Sequence, residues 1–361
     1  MNATRPVVIM AGGTGGHVFP ALAVAERLRA QSIPVVWMGT QRGLEATLVP
    51  KADIPIEWIG VAGLRGKGLG QKLAMPWMLA RALWQARAIL QRLQPRVVLG
   101  MGGFASGPGG LMARLLGIPL VVHEQNAIAG LTNRILARIA SQVLQAFPQT
   151  FPAARRAVTV GNPVREPIAC LPPPNQRFSG REGRLRLLIL GGSQGALALN
   201  QLVPQALALL NEGERPEVWH QVGGQLHEAA EAAYREAGIN ARLTPFIEDM
   251  AEAYGWADLV VCRAGALTIA ELAAAGVAAL LVPFPFAVDD HQTANARFLE
   301  QGGAAWIVQQ AALNPERLAA TLRDVLGDRI RLLVMAEAAR NLAKIEAAEQ
   351  VAQVCLQQAR C

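Results

Sequence analysis

Short apolar runs alternate with stretches of helical spacing along nearly the whole chain. Val7-Val8-Ile9-Met10-Ala11, Val35-Val36-Trp37-Met38, Val97-Val98-Leu99 and Leu120-Val121-Val122 carry no polar residue at alternate positions. Strands of that kind are buried on both faces, as in parallel sheets covered by helices. Pro20 to Leu28 has the three- and four-residue apolar steps of a helix. Beyond residue 185 the pattern restarts, with strands predicted at 186–191, 217–222, 243–247, 258–262 and 278–283 and helices at 196–211 and 225–237. The alternation predicts α/β domains with doubly wound parallel sheets. Pro172-Pro173-Pro174 and a polar stretch to Arg186 separate the two series. Extended proline segments suit linkers, and the boundary is set at 163, giving domains 1–163 and 164–343. The final stretch, 331–359, reads as helix with alternating charge.

Each half opens with a strand, a glycine turn and a helix. The first turn is Gly12-Gly13-Thr14-Gly15-Gly16-His17; the second is Gly191-Gly192-Ser193-Gln194-Gly195-Ala196. Glycine lets backbone N–H groups approach a ligand, and the helix N-terminus behind adds partial positive charge, so both turns suit a phosphate. A pair of such turns points to a ligand cleft between two domains. The first turn fits neither a dinucleotide fingerprint nor a Walker loop. In the first, the third glycine of the fingerprint falls on Val18 and the second strand ends in Gly39-Thr40 without an acid; no Gly-Lys-Ser/Thr follows.

Polar residues gather at predicted strand ends, which face the ligand crevice in parallel sheets. His123-Glu124-Gln125-Asn126 closes one strand, and Glu124 and Asn126 suit sugar hydroxyls. Arg263 to Glu271 follows another, with Ala266, Leu267, Thr268, Ile269 and Ala270 supplying a helix-start anion cradle. Glu271 can hold ribose hydroxyls, or can be a first-turn acid that favours the helix dipole. Asp289-Asp290-His291-Gln292 can read sugar hydroxyls, or lend two carboxylates to a divalent ion for which no third ligand stands nearby.

Net charge is +7 and the isoelectric point is near 9.8, which favours an anionic partner. Only 5% of residues are aromatic and no RNA-stacking motif appears, so nucleic acid is not the expected partner. Four cysteines without a CxxC pair suit reduced thiols, and five scattered histidines argue against a zinc site. Hydrophobic content is 52%, yet the uncharged run Leu272 to Val288 is broken by Gly276, Pro283 and Pro285 and does not read as a membrane span. With no signal-like apolar core at the N-terminus, a cytosolic location is expected. Residues 64–93 form a basic loop and a helix from about Lys72 with two apolar stripes. Met75, Leu79, Leu83, Ala86 and Leu90 form one, and Leu73, Trp77 and Trp84 the other, beside Lys72, Arg81 and Arg87. Two stripes exceed the needs of one core-facing side. Either the helix lies on a lipid surface or it is mostly buried with a basic edge.

Together with Gly161-Asn162-Pro163-Val164-Arg165 and Ala264-Gly265-Ala266-Leu267-Thr268, the two turns and His123 to Asn126 occur in an order that resembles the MurG family, N-acetylglucosaminyltransferases of peptidoglycan synthesis. The resemblance spans the chain from the first turn to the last helix. It implies two Rossmann-like domains in the GT-B arrangement with a deep interdomain cleft, the C-terminal helix 344–361 joining the first domain. It implies inverting transfer of N-acetylglucosamine from UDP-N-acetylglucosamine to the C4 hydroxyl of undecaprenyl-pyrophosphoryl-MurNAc-pentapeptide. No cofactor is implied as required, with divalent-cation stimulation left open.

Carried over, Ser193, Gln194 and their turn would hold the donor diphosphate. Ile247 would meet uracil through its backbone, Glu271 the ribose and Gln292 the sugar; Arg165 would complete the donor pocket. Thr14, Gly15, Gly16, His17 and Asn126 would line the acceptor side. His291 departs from the family, which places a glutamine pair at 291–292. The family's membrane patch falls on 64–84, so Leu69, Leu73, Trp77 and Leu79 with Lys72 and Arg81 would meet anionic lipid. The location implied is peripheral, on the cytoplasmic face of the inner membrane. His17 fits a general base by type and place, with Glu124 the second choice. Two other functions stay open on the residues alone: a UDP-N-acetylglucosamine 2-epimerase and a non-catalytic nucleotide-sugar-binding membrane protein.

Overall fold

In a computed structural model that describes residues 5–61, 75–192 and 195–359, the apolar runs become parallel strands of two units, Met1–Arg165 with Lys344–Cys361, and Glu166–Ala343. The first unit holds β1 (Val7–Met10), α1 (Gly15–Ala30), β2 (Val35–Gly39), α2 (Glu45–Lys51), β3 (Ile56–Trp58), α3 (Met75–Leu93), β4 (Val97–Gly100), α4 (Ser106–Leu115), β5 (Leu120–Glu124), α5 (Leu131–Leu136), β6 (Gln142–Gln145) and β7 (Val158–Thr159). Its sheet runs β3-β2-β1-β4-β5-β6-β7, with Val7 opposite Val35 on one side and Val97 on the other.

Helices on both faces explain why these strands lack polar positions. Val7 and Ile9 pack in one core with α1 and the helix Ala347–Gln358, whereas Val8 and Met10 pack in the other with α3, α4 and α5. Each fully buried aliphatic side chain is worth ~1.5–3 kcal/mol. Trp37 is wholly buried, and its indole N–H donates to the Ala11 carbonyl at 2.8 Å, so its one polar atom is satisfied where the first glycine turn begins.

The second unit holds α6 (Glu166–Ala169), α7 (Pro174–Phe178), β8 (Arg186–Leu190), α8 (Leu197–Ala208), β9 (Glu217–Gln221), α9 (His227–Glu236), β10 (Arg242–Thr244), α10 (Met250–Trp256), β11 (Leu259–Cys262), α11 (Ala266–Ala275), β12 (Ala278–Leu281), α12 (His291–Gln301), β13 (Ala305–Ile307), α13 (Pro315–Leu326) and α14 (Arg329–Leu342). Its parallel sheet runs β10-β9-β8-β11-β12-β13. In each sheet the strand order reverses beside the first strand, at β1/β4 and at β8/β11. Ligands of open parallel sheets bind beyond the strand ends at such switch points, where each glycine turn sits.

Two departures from the sequence reading concern helices. The helix expected over 331–359 is two helices, α14 and Ala347–Gln358. Leu332, Met335 and Ala336 of the first enter the core of the second unit; Val351, Ala352 and Cys355 of the other enter the first. One straight helix cannot serve two cores, and Ala343 takes extended backbone between them. In α3 the buried side is Ala82, Ala86, Ile89 and Leu90, while Leu79 lies with Trp77 and Trp84 on the exposed side. The mostly buried reading of this helix therefore does not hold over its described residues, Trp77 and Trp84 being 77% and 72% exposed. Leu69, Lys72 and Leu73 lie outside the described residues.

Candidate active site

In the first unit, three of the sequence motifs converge at the β1/β4 switch point. The turn after β1 is braced by Glu45 at the start of α2. Its buried carboxylate accepts from the Gly13 N–H at 2.9 Å, the Thr40 N–H at 3.1 Å and the Thr40 hydroxyl at 2.7 Å. A Cβ on Gly12 would sit 2.4 Å from Glu45 Oε1, so the carboxylate can reach the turn only past a glycine. The turn after β4 closes on the first: a Cβ on Gly103 would fall 2.5 Å from the Gly12 carbonyl oxygen. Ser106 Oγ lies 3.0 Å from the Met10 carbonyl and 2.7 Å from that of Gly102, tying the two strand ends together.

His17 stands in the first turn of α1, half-buried, against the backbone of Gly102, whose added Cβ would lie 2.8 Å from the imidazole Nδ1. Nδ1 is 3.0 Å from Gln125 Oε1; Gln125 Nε2 is 3.2 Å from His123 Nδ1; His123 Nε2 is 2.9 Å from the Gly161 carbonyl. Asn162 Nδ2 donates to the Gln125 carbonyl at 2.9 Å. Burial lowers the pKa of His123 to about 4, partly opposed by its bond to Gly161 and by the Glu124 charge, so the ring is neutral at pH 7.

Glu124 sits at the end of β5 with both oxygens engaged. Oε1 accepts from the Asn126 N–H and Nδ2 at 2.9 and 3.2 Å; Oε2 accepts from the Gly130 N–H and Asn133 Nδ2 at 3.1 and 2.9 Å. Asn126 is half-buried on the loop that this carboxylate shapes, and Thr14, Gly15 and Gly16 lead into α1. Arg165 belongs to the first unit, its guanidinium 5.2 Å from the ring centroid of Phe19 on α1.

In the second unit, the turn after β8 is held by main chain. Gly191 N–H donates to the Gln221 carbonyl at 3.1 Å, and a Cβ on Gly195 would lie 2.2 Å from the Val222 carbonyl oxygen. Asn200, buried on α8, donates to that same carbonyl at 2.9 Å. Ser193 and Gln194 lie outside the described residues. Beside it, α11 opens after β11 with Gly265 at its N-cap, so Ala266, Leu267 and Thr268 present first-turn N–H groups, with Ile269 and Ala270 following. Gln292 Oε1 accepts from the Ala264 and Phe284 N–H groups at 3.1 and 2.9 Å, and thereby joins α12 to the ends of β11 and β12. His291 begins α12.

Glu271 is buried in the second turn of α11, not its first, so a helix-dipole role does not account for it. The Tyr254 hydroxyl, from α10, donates to its Oε2 at 3.2 Å. Ile247 is buried on the loop after β10. Sequence reasoning missed Glu45 and Tyr254 altogether and gave Gln125 no task. The signal for Glu45 was indirect: glycines at 12 and 43 that a carboxylate must pass.

The glycosyltransferase family 28 N-terminal domain matches residues 7–145, and the C-terminal domain of the same family matches residues 186–353. The chain is 60% identical to a protein of Nitrosococcus oceani over 97% of its own length and 98% of the relative's. It is 58% identical to one of Alkalilimnicola ehrlichii over 99% and 100%. Both are named UDP-N-acetylglucosamine–N-acetylmuramyl-(pentapeptide) pyrophosphoryl-undecaprenol N-acetylglucosamine transferase. The crystal structure of Acinetobacter baumannii MurG superposes with a TM-score of 0.86 at 45% identity, covering 98% of this chain and 99% of that one. The calicheamicin glycosyltransferase CalG4 shares the fold at 17% identity with a TM-score of 0.66.

Proposed function

The chain belongs to the MurG family of glycosyltransferases, and from that premise we propose its reaction: transfer of N-acetylglucosamine from UDP-N-acetylglucosamine to the C4 hydroxyl of undecaprenyl-pyrophosphoryl-MurNAc-pentapeptide, with inversion, in peptidoglycan synthesis. The observation that carries this reading is the full-length likeness to proteins named for that transfer. An epimerase or a non-catalytic binding protein would not account for it.

Inversion needs in-line attack by an activated hydroxyl. His17 is the base. It takes the C4 hydroxyl proton; the oxygen bonds to the anomeric carbon, and the bond to the β-phosphate oxygen breaks with its electron pair leaving on UDP. Glu124 is a poorer base, because four donors hold both its oxygens. Thr14, Gly15, Gly16 and Asn126 bind the acceptor around His17.

The developing charge on UDP falls to the turn after β8, with Ser193 and Gln194, and to the first-turn N–H groups of α11. Those groups supply the stabilisation without a metal. Glu271, steadied by Tyr254, takes the ribose hydroxyls, and the backbone at Ile247 takes uracil. Gln292 has its carbonyl oxygen committed to two N–H groups, so it offers its NH2 to a sugar oxygen, beside His291.

The enzyme meets its acceptor as a peripheral protein on the cytoplasmic face of the inner membrane. No helix among the described residues is long and apolar enough to cross a membrane. The helical layer of α3, α4 and α5 exposes Trp77, Leu79, Trp84, Leu115 and Leu131, with Arg81, Arg87, Arg114 and Arg134 among them. Exposed aromatic and aliphatic side chains that share their helices with exposed cations suit an anionic head-group surface, each cation adding about 1 kcal/mol there. Leu69, Lys72 and Leu73 belong to the same proposed patch; nucleic acid is no partner in this account. Incubation with radiolabelled UDP-N-acetylglucosamine and the undecaprenyl acceptor is expected to give labelled lipid. Label appearing only in free sugar or in an epimerised nucleotide sugar would reject the transfer.

A further inference from the structure

We infer that Gln125 and His123 are positioning residues that hold His17 in the tautomer with its proton on Nδ1 and its lone pair on Nε2. This deepens the reading of His17 as the base and rests on it for its catalytic meaning.

The hydrogen bonds allow one self-consistent solution. The Gly161 carbonyl can only accept, so His123 Nε2 at 2.9 Å carries a proton. His123 is wholly buried, and burial holds it neutral, so its Nδ1 is a bare lone pair. Gln125 must therefore turn its NH2 to that nitrogen, 3.2 Å away. Its carbonyl oxygen then faces His17 Nδ1 at 3.0 Å, and His17 must donate there. A neutral imidazole has a single N–H, so Nε2 of His17 is the proton acceptor. Reversing the amide would demand protons on both nitrogens of His123, a cation buried away from water.

The chain of bonds is also fixed in space. Asn162 Nδ2 holds the Gln125 carbonyl at 2.9 Å, and Asn133 Nδ2 holds that of His123 at 3.2 Å. Gly161 has φ +85°, and a Cβ there would meet Lys344 Cβ at 2.3 Å, so the backbone that starts the chain of bonds lies tight against the returning C-terminal segment. The side chain of free histidine favours the proton on Nε2; here that preference is reversed by a neutral amide. When Nε2 takes the hydroxyl proton, the Nδ1–H bond to Gln125 stays in place and its carbonyl dipole faces the new imidazolium. A carboxylate at 125 would accept from His17 equally well but has no N–H for His123.

The test is a long-range 1H–15N spectrum of full-length, 15N-histidine-labelled protein at neutral pH, with the His17 signals assigned by their loss in His17→Gln. The expected spectrum shows His17 protonated on Nδ1 and bare on Nε2. In Gln125→Leu the proton is expected to move to Nε2, with kcat falling on the order of 10²-fold, the lower end of what a placed base contributes, and KM for UDP-N-acetylglucosamine unchanged. Gln125→Glu restores an acceptor and is expected to recover the Nδ1 proton and part of kcat. A wild-type His17 protonated on Nε2 overturns the inference, as does a Gln125→Leu protein with tautomer and kcat unchanged. The wild-type spectrum decides the point should Gln125→Leu fail to fold. Full turnover in His17→Ala would reject the base reading alone, since the tautomer is read without turnover.

Discussion

The turns after β1 and β8 share one plan, and their supports differ. After β1, side chains hold the backbone: Glu45 grips Gly13 and Thr40, and Gln125 grips His17. After β8, main chain does the work: Gly191 bonds to Gln221, and Gly195 lies against the Val222 carbonyl. A backbone-braced turn keeps its N–H groups aimed without adding charge, which suits an anion. A turn braced by a buried carboxylate keeps a titratable ring in a fixed attitude, which suits a proton transfer. The same strand–glycine–helix element can thus be built as a cradle or as a mount for a base. Perturbing each support separately tests that division.

Glu45→Ala should have the largest effect. Three donors lose their acceptor inside the first unit, and the cost expected is ~3–5 kcal/mol of stability. The denaturant midpoint reads it, and loss confined to the first unit would leave UDP-N-acetylglucosamine binding by the second. An unchanged midpoint would mean that the carboxylate is not a brace.

Each unit also buries one neutral histidine. Burial lowers His123 to about 4 and His220 to about 3, both from 6.5. The folded rings resist protons that the unfolded chain accepts, so stability is full above pH 6.5. It should fall as pH drops from 6.5 toward 4 for His123 and on toward 3 for His220, by a few kcal/mol each. Midpoints measured from pH 8 to pH 4 check this; a flat profile contradicts it. The His220 side chain bonds the Tyr234 hydroxyl at 2.9 Å, so His220→Phe should flatten the fall without touching turnover.

Tyr254→Phe removes one hydrogen bond to Glu271 in the second unit. Donor affinity should weaken by about 1.5–3 kcal/mol, the range for a bond to a charged group. Calorimetry with UDP-N-acetylglucosamine measures it. An effect on turnover at saturating donor, with affinity intact, would blur the division between the turns.

The smallest effect on chemistry should come from Trp77→Ser with Trp84→Ser. Both side chains are exposed, so stability should move by about 0.5 kcal/mol or less. Vesicle sedimentation and activity on the full-length lipid should fall, while activity on a short-chain soluble acceptor persists. Equal loss on both acceptors would make these residues structural.

Most of the fold was legible because parallel strands covered on both faces cannot hide polar positions: Val7 to Ala11 announces itself. The exposed side of α3 was half legible, since Trp77 and Trp84 exceed what a single core face needs, while periodicity alone groups Leu79 with Leu83, Ala86 and Leu90 although it is exposed like the tryptophans. The break at Ala343 was not legible, because periodicity does not tell which core an apolar face will join. The candidate site was open to sequence reading where chemistry shows as residue type, as in the proposals for His17, Glu124 and Glu271. It was not where a side chain acts by reaching back. Glu45 stands five residues beyond Thr40 and lies outside any spacing rule for a strand end. The link from His17 to Gln125 spans 108 positions, and only the sheet order that sets β1 beside β4 and β4 beside β5 brings them together.

The central claim is that His17 moves the proton while the second unit holds the donor. It is tested most directly on His17→Ala by measuring turnover on the lipid acceptor beside calorimetric UDP-N-acetylglucosamine affinity. The account expects turnover to fall by about 10²-fold or more with affinity within about two-fold of the unsubstituted protein. Turnover within a few-fold of the unsubstituted protein, in a folded variant, would contradict it.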